Sequence, residues 1–176
     1  GNEIIKAQVD AYRRLRNTLR FLLGNLASFD ESERLPLAEM PYLEQLVLHH
    51  LSELDELVRQ SCADFDFHRL YVALGNFCTN DLSAFYLDIR KDALYCDELT
   101  SNRRRAARTV LDQIFSCLTA WLAPILCFTA EEAWRSRFPE EESVHLRQFP
   151  EIPSSWHNEA LAARWAKVRT LRRVVT

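Results

Sequence analysis

Tyr42-Leu43-Glu44-Gln45-Leu46-Val47-Leu48-His49-His50-Leu51-Ser52-Glu53-Leu54-Asp55-Glu56-Leu57-Val58-Arg59-Gln60-Ser61-Cys62 carries no turn signal, and its leucines and valines recur at helical spacing. Leu43, Leu46, Val47, Leu51, Leu54, Leu57 and Val58 make a wide apolar stripe that a helix can bury only against a neighbour. On its N-terminal side a first helix is expected from about Ile4 to about Leu26. A polar connection with Asn25, Ser28, Asp30, Ser32 and Pro36 then ends near Pro41. On its C-terminal side Asp64-Phe65-Asp66 offers an N-cap for a third helix, which carries Leu70, Leu74, Phe77, Leu82, Phe85 and Tyr86 to about Lys91. Three long helices imply a bundle.

Farther along, Ala93 to Leu99 reads as a loop pinned by apolar residues, with Thr100 or Ser101 capping a fourth helix. That helix opens on arginines, turns apolar through Val110, Leu111, Ile114, Phe115, Leu118, Trp121 and Leu122, and meets Pro124, which removes a backbone donor. Thr129-Ala130-Glu131-Glu132 has capping-box spacing and predicts the start of a short helix carrying Trp134. The run Glu140-Glu141-Glu142 and prolines Pro150 and Pro153 predict an irregular wrap, and Leu161, Trp165, Val168 and Leu171 a last amphipathic helix from about Asn158 to Val175. The expected fold is therefore all-α, a bundle of four to five main helices with an irregular outer segment and a C-terminal helix. Its expected organisation is a bundle over 1–138, a wrapping segment over 139–157, and over 158–176 the start of a junction helix that would continue in a longer protein. The aromatics Phe85, Tyr86, Trp121 and Trp134 are expected in the core.

Composition narrows the classes. The chain has 176 residues, of which 48% are hydrophobic and only three are glycine, enough for one well-buried helical domain. No apolar run reaches membrane-spanning length and no signal-peptide pattern opens the chain, so a cytosolic, membrane-free protein is expected. Cys62, Cys78, Cys96, Cys117 and Cys127 are odd in number and widely spaced, which predicts reduced, mostly packing thiols. His49, His50, His68, His145 and His157 make no zinc pattern, so no metal is expected. Three glycines leave almost no material for a phosphate-cradling loop, and no serine or cysteine stands in an activating context, so catalysis is not expected either.

The net charge of -3 conceals a segregation. Acids dominate from Asp30 to Asp66, whereas arginines concentrate in the first helix, at Arg103, Arg104, Arg105 and Arg108, and again from Arg164 to Arg173, which predicts one basic side. In the first helix, at about 100° per residue, Arg13, Arg16, Asn17 and Arg20 share a face opposite Leu15, Leu19, Leu22 and Leu26. A rigid row of guanidinium forks suits phosphate oxygens and makes RNA the first partner to consider. The alternative at this point is a solvated face paired with carboxylates elsewhere in the fold. Arg14 is expected to find an intramolecular partner.

Four blocks resemble the anticodon-binding helical domain of class I aminoacyl-tRNA synthetases, and within them the isoleucyl branch. They are Tyr12-Arg13-Arg14-Leu15-Arg16-Asn17-Thr18-Leu19-Arg20-Phe21-Leu22-Leu23, Phe85-Tyr86-Leu87-Asp88-Ile89-Arg90-Lys91-Asp92, Leu122-Ala123-Pro124-Ile125-Leu126 with Phe128-Thr129-Ala130-Glu131-Glu132, and Glu142-Ser143-Val144-His145-Leu146. Cys127 stands where a second proline is usual, and Arg90 and Ala93 vary the middle of the second block. The resemblance implies a tRNA-binding piece whose partners are isoleucine tRNA and the missing catalytic and C-terminal regions of the same chain, not DNA. It also implies that ATP and magnesium belong to the parent's catalytic domain, with no cofactor in this fragment. By the same resemblance Arg90, Lys91, Tyr95, Arg103, Arg104 and Arg105 become candidates for the anticodon end, joining Arg13, Arg16, Asn17 and Arg20 on the first helix.

Overall fold

A computed structural model describes residues 2–175, with side chains through Arg172; Thr176 and the Arg173 side chain, expected on the terminal basic face, lie outside the described residues. Helix α1 spans Asn2–Asn25, α2 Tyr42–Ala63, α3 Phe67–Asn76, α4 Asp88–Cys96, α5 Asn102–Leu122, α6 Cys127–Arg137 and α7 Glu159–Val175. Short 3-10 turns at 31–33, 37–39, 144–146 and 154–156 punctuate the connections, and no strand occurs among the described residues. The all-α bundle expected from the sequence is the observed one.

Helix α5 is the axis. Its buried residues include Val110, Leu111, Ile114, Phe115, Leu118 and Trp121, which point to every side, and α1, α2, α4 and α6 pack around it. A helix apolar all round belongs in the middle of a bundle. From α1 come Leu15, Leu19 and Leu22, and from α2 Leu43, Leu46, Leu51 and Val58, all buried in one core with Tyr86 and Trp134. Each fully buried leucine contributes about 1.5–3 kcal/mol. Phe85, Tyr86, Trp121 and Trp134 lie in this core as the sequence predicts.

Three local expectations are corrected. The third helix does not give way to a loop at Ala93: α3, a π-helical segment at Phe77–Leu87 and α4 form one rod that continues to Cys96. Ala93 and Leu94 are buried where α4 meets α5, so tertiary packing keeps helical a stretch that reads as a connection. Thr129 and Glu132 do not form the capping box; α6 already begins at Cys127, with the Ala130 amide bonded to the Leu126 carbonyl at 2.9 Å. Thr129 instead bonds the Tyr12 hydroxyl at 3.0 Å, and Glu132 pairs with Arg16, both across to α1. Ser101 occupies the N-cap position of α5, yet its hydroxyl donates to Asp97 rather than closing the helix.

Other local signals hold. Asp66 caps α3 by accepting from the Arg69 amide at 2.9 Å, and Asn158 caps α7 by accepting from Leu161 at 3.0 Å. The end of α2 is a Schellman motif: the Asp66 amide reaches Ser61 and the Phe65 amide reaches Cys62, with Phe65 in the left-handed region at φ 56, where glycine is usual. Around 139–157 the chain wraps the outside, pinned by the Trp134 indole donating to the Glu142 carbonyl at 2.8 Å and by Arg147 over the same ring.

Candidate nucleic-acid interface

On α1, Leu15, Leu19 and Leu22 face inward, so Arg13, Arg16, Asn17 and Arg20 are turned outward and all four are exposed. Arg16, Asn17 and Arg20 meet at a cleft of about 310 Å3 between α1 and α6, closed on the other side by Thr129, Glu132 and Ser136. Arg13 stands outside it, 3.6 Å from Asp10.

Within the cleft the arginines differ. Arg16 holds Glu132 with both prongs of its fork, at 2.7 and 3.0 Å, which is the carboxylate-paired alternative read from the sequence. The Arg16 hydrogen bonds keep the Glu132 carboxyl below the usual carboxylate range and raise the guanidinium further above its own. Arg20 and Asn17 have no side-chain hydrogen bond or ion pair among the described residues. The cleft therefore offers one guanidinium and one amide open to a ligand beside a neutralised pair.

The residues implied by resemblance sit mostly along α4 and the start of α5. Arg90 reaches from α4 to α2 and grips Glu44 through Nε at 2.6 Å and Nη2 at 2.7 Å, while the Tyr86 hydroxyl donates to the same carboxylate at 3.1 Å. Glu44 is fully buried and the Arg90 side chain is 13% exposed, so this pair braces the bundle. Burial, and then the Glu44 charge beside it, pushes the Tyr86 phenol well above its usual pKa. Arg103 pairs with Asp97, and Arg104 donates to the Asp97 carbonyl at 2.8 Å, which fixes the turn between α4 and α5. Lys91 is exposed beside Asp88 at 3.3 Å, and Tyr95 is 64% exposed with no hydrogen bond among the described residues.

The expected basic side is cut back by the fold's own acids. Arg108 is buried against Glu33, Arg34 and Arg137 share Asp112, and Arg105 donates to the Ser32 and Glu33 carbonyls. The acidic block and the arginine blocks that look segregated in sequence are paired across elements in space. Arg14 corrects the expectation in the other direction: it is exposed and has no side-chain partner among the described residues. It projects from the flank of α1 toward α3, at the boundary between the apolar and charged faces. The polar Asn76, Thr79, Asn80 and Ser83 of the rod line the clefts beside Arg14, and only the structure brings them together.

Among the described residues His49, His50 and Glu53 come close enough to suggest a metal site. The donor set argues against it. His49 Nδ1 accepts the Asn158 backbone amide at 3.0 Å, so the ring proton is on Nε2, 3.6 Å from Glu53. A metal at Nε2 would leave both nitrogens requiring lone pairs, which is an imidazolate. The ring is instead a clamp between α2 and the start of α7, and burial pushes its pKa below the usual value. Cys78 and Cys117 are packed as expected, with burial raising the Cys78 thiol to about 12, whereas Cys96 and Cys127 are exposed.

A family model described as the anticodon-binding domain of tRNA ligase matches residues 44–176. The chain belongs to this anticodon-binding domain family. Relatives named isoleucine–tRNA ligase align with all of it: those of Agrobacterium fabrum and Mesorhizobium japonicum are 56% identical and that of Gluconobacter oxydans 52% identical over 176 residues. The chain spans 18% of the length of each of these relatives. The family match begins at Glu44, the buried acid held by Arg90, so in this anticodon-binding domain α1 and its arginine face lie before the matched region but inside the aligned relatives.

Proposed function

We propose that this domain is the tRNA-holding part of an isoleucine–tRNA ligase. It binds isoleucine tRNA around the anticodon stem and loop, while ATP- and magnesium-dependent attachment of isoleucine takes place in another region of the parent chain. The observation that supports this reading is the open Asn17 and Arg20 on a rigid helix of a domain whose aligned relatives are isoleucine–tRNA ligases. A-form stems hide their base edges in a deep, narrow groove, so contacts along α1 supply affinity and register while unpaired bases supply specificity. Lys91 and Tyr95 are the exposed candidates for that second task, with Arg103 half-exposed beside them. Arg90 is taken up inside the bundle by its pair with Glu44. The proposal places the protein in the cytosol, away from DNA and membranes; no described helix is long and apolar enough to cross a bilayer.

Binding of the chain to isoleucine tRNA, to the same tRNA with a changed anticodon and to duplex DNA, across a salt series, tests this. The expected result is salt-dependent binding that weakens with the anticodon change and with Arg20→Gln, and that duplex DNA does not compete away. Equal binding to all three nucleic acids would reduce the domain to a general polyanion binder, and binding indifferent to salt and to Arg20→Gln would remove the α1 face from the interface.

A further inference from the structure

Helix α1 lies beside the rod of α3 and the π segment, and the crease between them opens into two adjoining clefts of about 520 and 480 Å3. Both lie within the range of roughly 300–1,000 Å3 usual for ligand sites. Arg14 and Thr79 line both clefts and mark where they meet. Asn76 and Asn80 line the first with the Tyr71 ring, and Ser83 lines the second. None of Arg14, Asn76, Thr79, Asn80 and Ser83 has a side-chain hydrogen bond or ion pair among the described residues. In a fold that closes Arg16, Arg34, Arg90, Arg103, Arg108 and Arg137 onto carboxylates, Arg14 stays open beside open amides and hydroxyls. The two carboxylates that line the crease are each engaged by other cations, Asp10 by Arg13 at 3.6 Å and Asp88 by Lys91 and Arg172. Thr79, Asn80 and Ser83 sit on the π segment, a backbone form that is rare and concentrates at functional sites.

The chemistry of the crease is that of one nucleotide rather than of a duplex. A duplex backbone calls for several cations in register, and the crease has one guanidinium. An unpaired nucleotide presents one phosphate, ribose hydroxyls, and a flat base with donors and acceptors on its edges. We propose that the crease between α1 and the rod receives an unpaired nucleotide of the bound tRNA, Arg14 holding its phosphate and Asn76 and Asn80 its base edge. The inference rests on the tRNA binding proposed above. It adds a contact on the flank of α1 next to the Arg13–Arg16–Arg20 face, where Asn17 lines both the α1–α6 cleft and the second cleft of the crease.

The test uses the chain with isoleucine tRNA, measuring anisotropy across a salt series and ribose acylation of each nucleotide in the bound RNA. Arg14→Gln and Asn80→Ala change exposed side chains, and Arg20→Gln serves as the comparison; circular dichroism checks that each folds. Arg14→Gln is expected to weaken binding about tenfold and to flatten the salt slope by about one ion. One or two unpaired nucleotides protected by the wild type become reactive again with saturating Asn80→Ala. Unchanged affinity and slope in Arg14→Gln, or protection identical in Asn80→Ala, overturns the inference. If Arg20→Gln then still weakens binding, the crease alone is rejected and tRNA binding stands. Absence of any salt-sensitive binding by the wild type rejects both.

Discussion

Glu44→Gln separates a bracing role of Arg90 from a binding one. In the native domain Glu44 is wholly buried and accepts three hydrogen bonds, two from the Arg90 fork and one from Tyr86. Glutamine keeps one carbonyl acceptor but turns an amide donor toward the guanidinium, and it strands a cation whose side chain is 13% exposed. Removing one member of a buried pair costs about 3–5 kcal/mol. Because Arg90 retains some access to water, the lower end applies, about 3 kcal/mol, a large fraction of the roughly 5–15 kcal/mol that holds a domain together. With a urea m-value of about 2 kcal/mol/M, the unfolding midpoint should fall by about 1.5 M. Replacing the pair together, Glu44→Leu with Arg90→Met, should be less damaging than Glu44→Gln, since no charge remains buried without a partner. Urea unfolding followed by far-UV circular dichroism measures all three. A Glu44→Gln loss below about 1 kcal/mol, or a double variant no better than the single, refutes the brace. In Arg90→Met, tRNA affinity measured where the variant is fully folded should be unchanged; a loss there would return Arg90 to the interface.

Phe65 adopts the left-handed backbone while 81% exposed, so Phe65→Gly gives up little burial and should stabilise by about 1 kcal/mol, raising Tm by roughly 2–4 °C. A fall in Tm would show that the ring, set edge-on to Phe67, is worth more than the backbone strain. The His49 pKa lies below its usual value, so the unfolded chain binds the proton more readily and stability must decline as pH falls below about 6.5. Urea midpoints between pH 7 and 5.5 should drop in the wild type, by at most about 1.4 kcal/mol per unit, and flatten in His49→Gln; a flat wild-type profile contradicts the clamp on Asn158. Glu132→Gln releases the Arg16 fork and removes a negative charge from the α1–α6 cleft, and should tighten tRNA binding severalfold with its salt slope steepened. Weaker binding would mean that Glu132 positions Arg16 for RNA rather than competing with it.

The fold was legible wherever one period governed a segment. The stripe of α2, the cap at Asp66 and the break near Pro124 are local signals, and each predicts what the structure contains. Legibility failed where distant residues decided. Phe85, Tyr86 and Leu87 are three consecutive buried residues, turned respectively to Trp165 of α7, to Glu44 of α2 and to the α1 groove with Phe21. No 3.6-residue stripe describes a rod pressed from three sides, and the π segment runs through this point. Thr129 and Glu132 have the spacing of a cap but find partners in Tyr12 and Arg16 more than a hundred residues away, and the local pattern yields to the tertiary one.

The candidate site reverses in the same way, and for a reason that charge counting cannot reach. A guanidinium can reach a phosphate unhindered only if the fold has not already given it a carboxylate, and that depends on which acids the other helices bring near. The spacing on α1 leaves Arg16 open either to phosphate or to a carboxylate from elsewhere in the fold, and Glu132 arrives from α6 with both oxygens. Arg14 is expected to find a partner within the fold, yet the rod brings Asn76, Thr79, Asn80 and Ser83 to its clefts, and the one rod carboxylate there, Asp88, is taken by Lys91 and Arg172. If the rod had carried an acid at Asn76 or Asn80, Arg14 would be one more internal brace like Arg90. Asn80→Asp makes that change: it should pair with Arg14, leave the fold intact and weaken tRNA binding about as much as Arg14→Gln. Binding unaffected by the new carboxylate would show that Arg14 reaches RNA by a route other than the crease, or not at all.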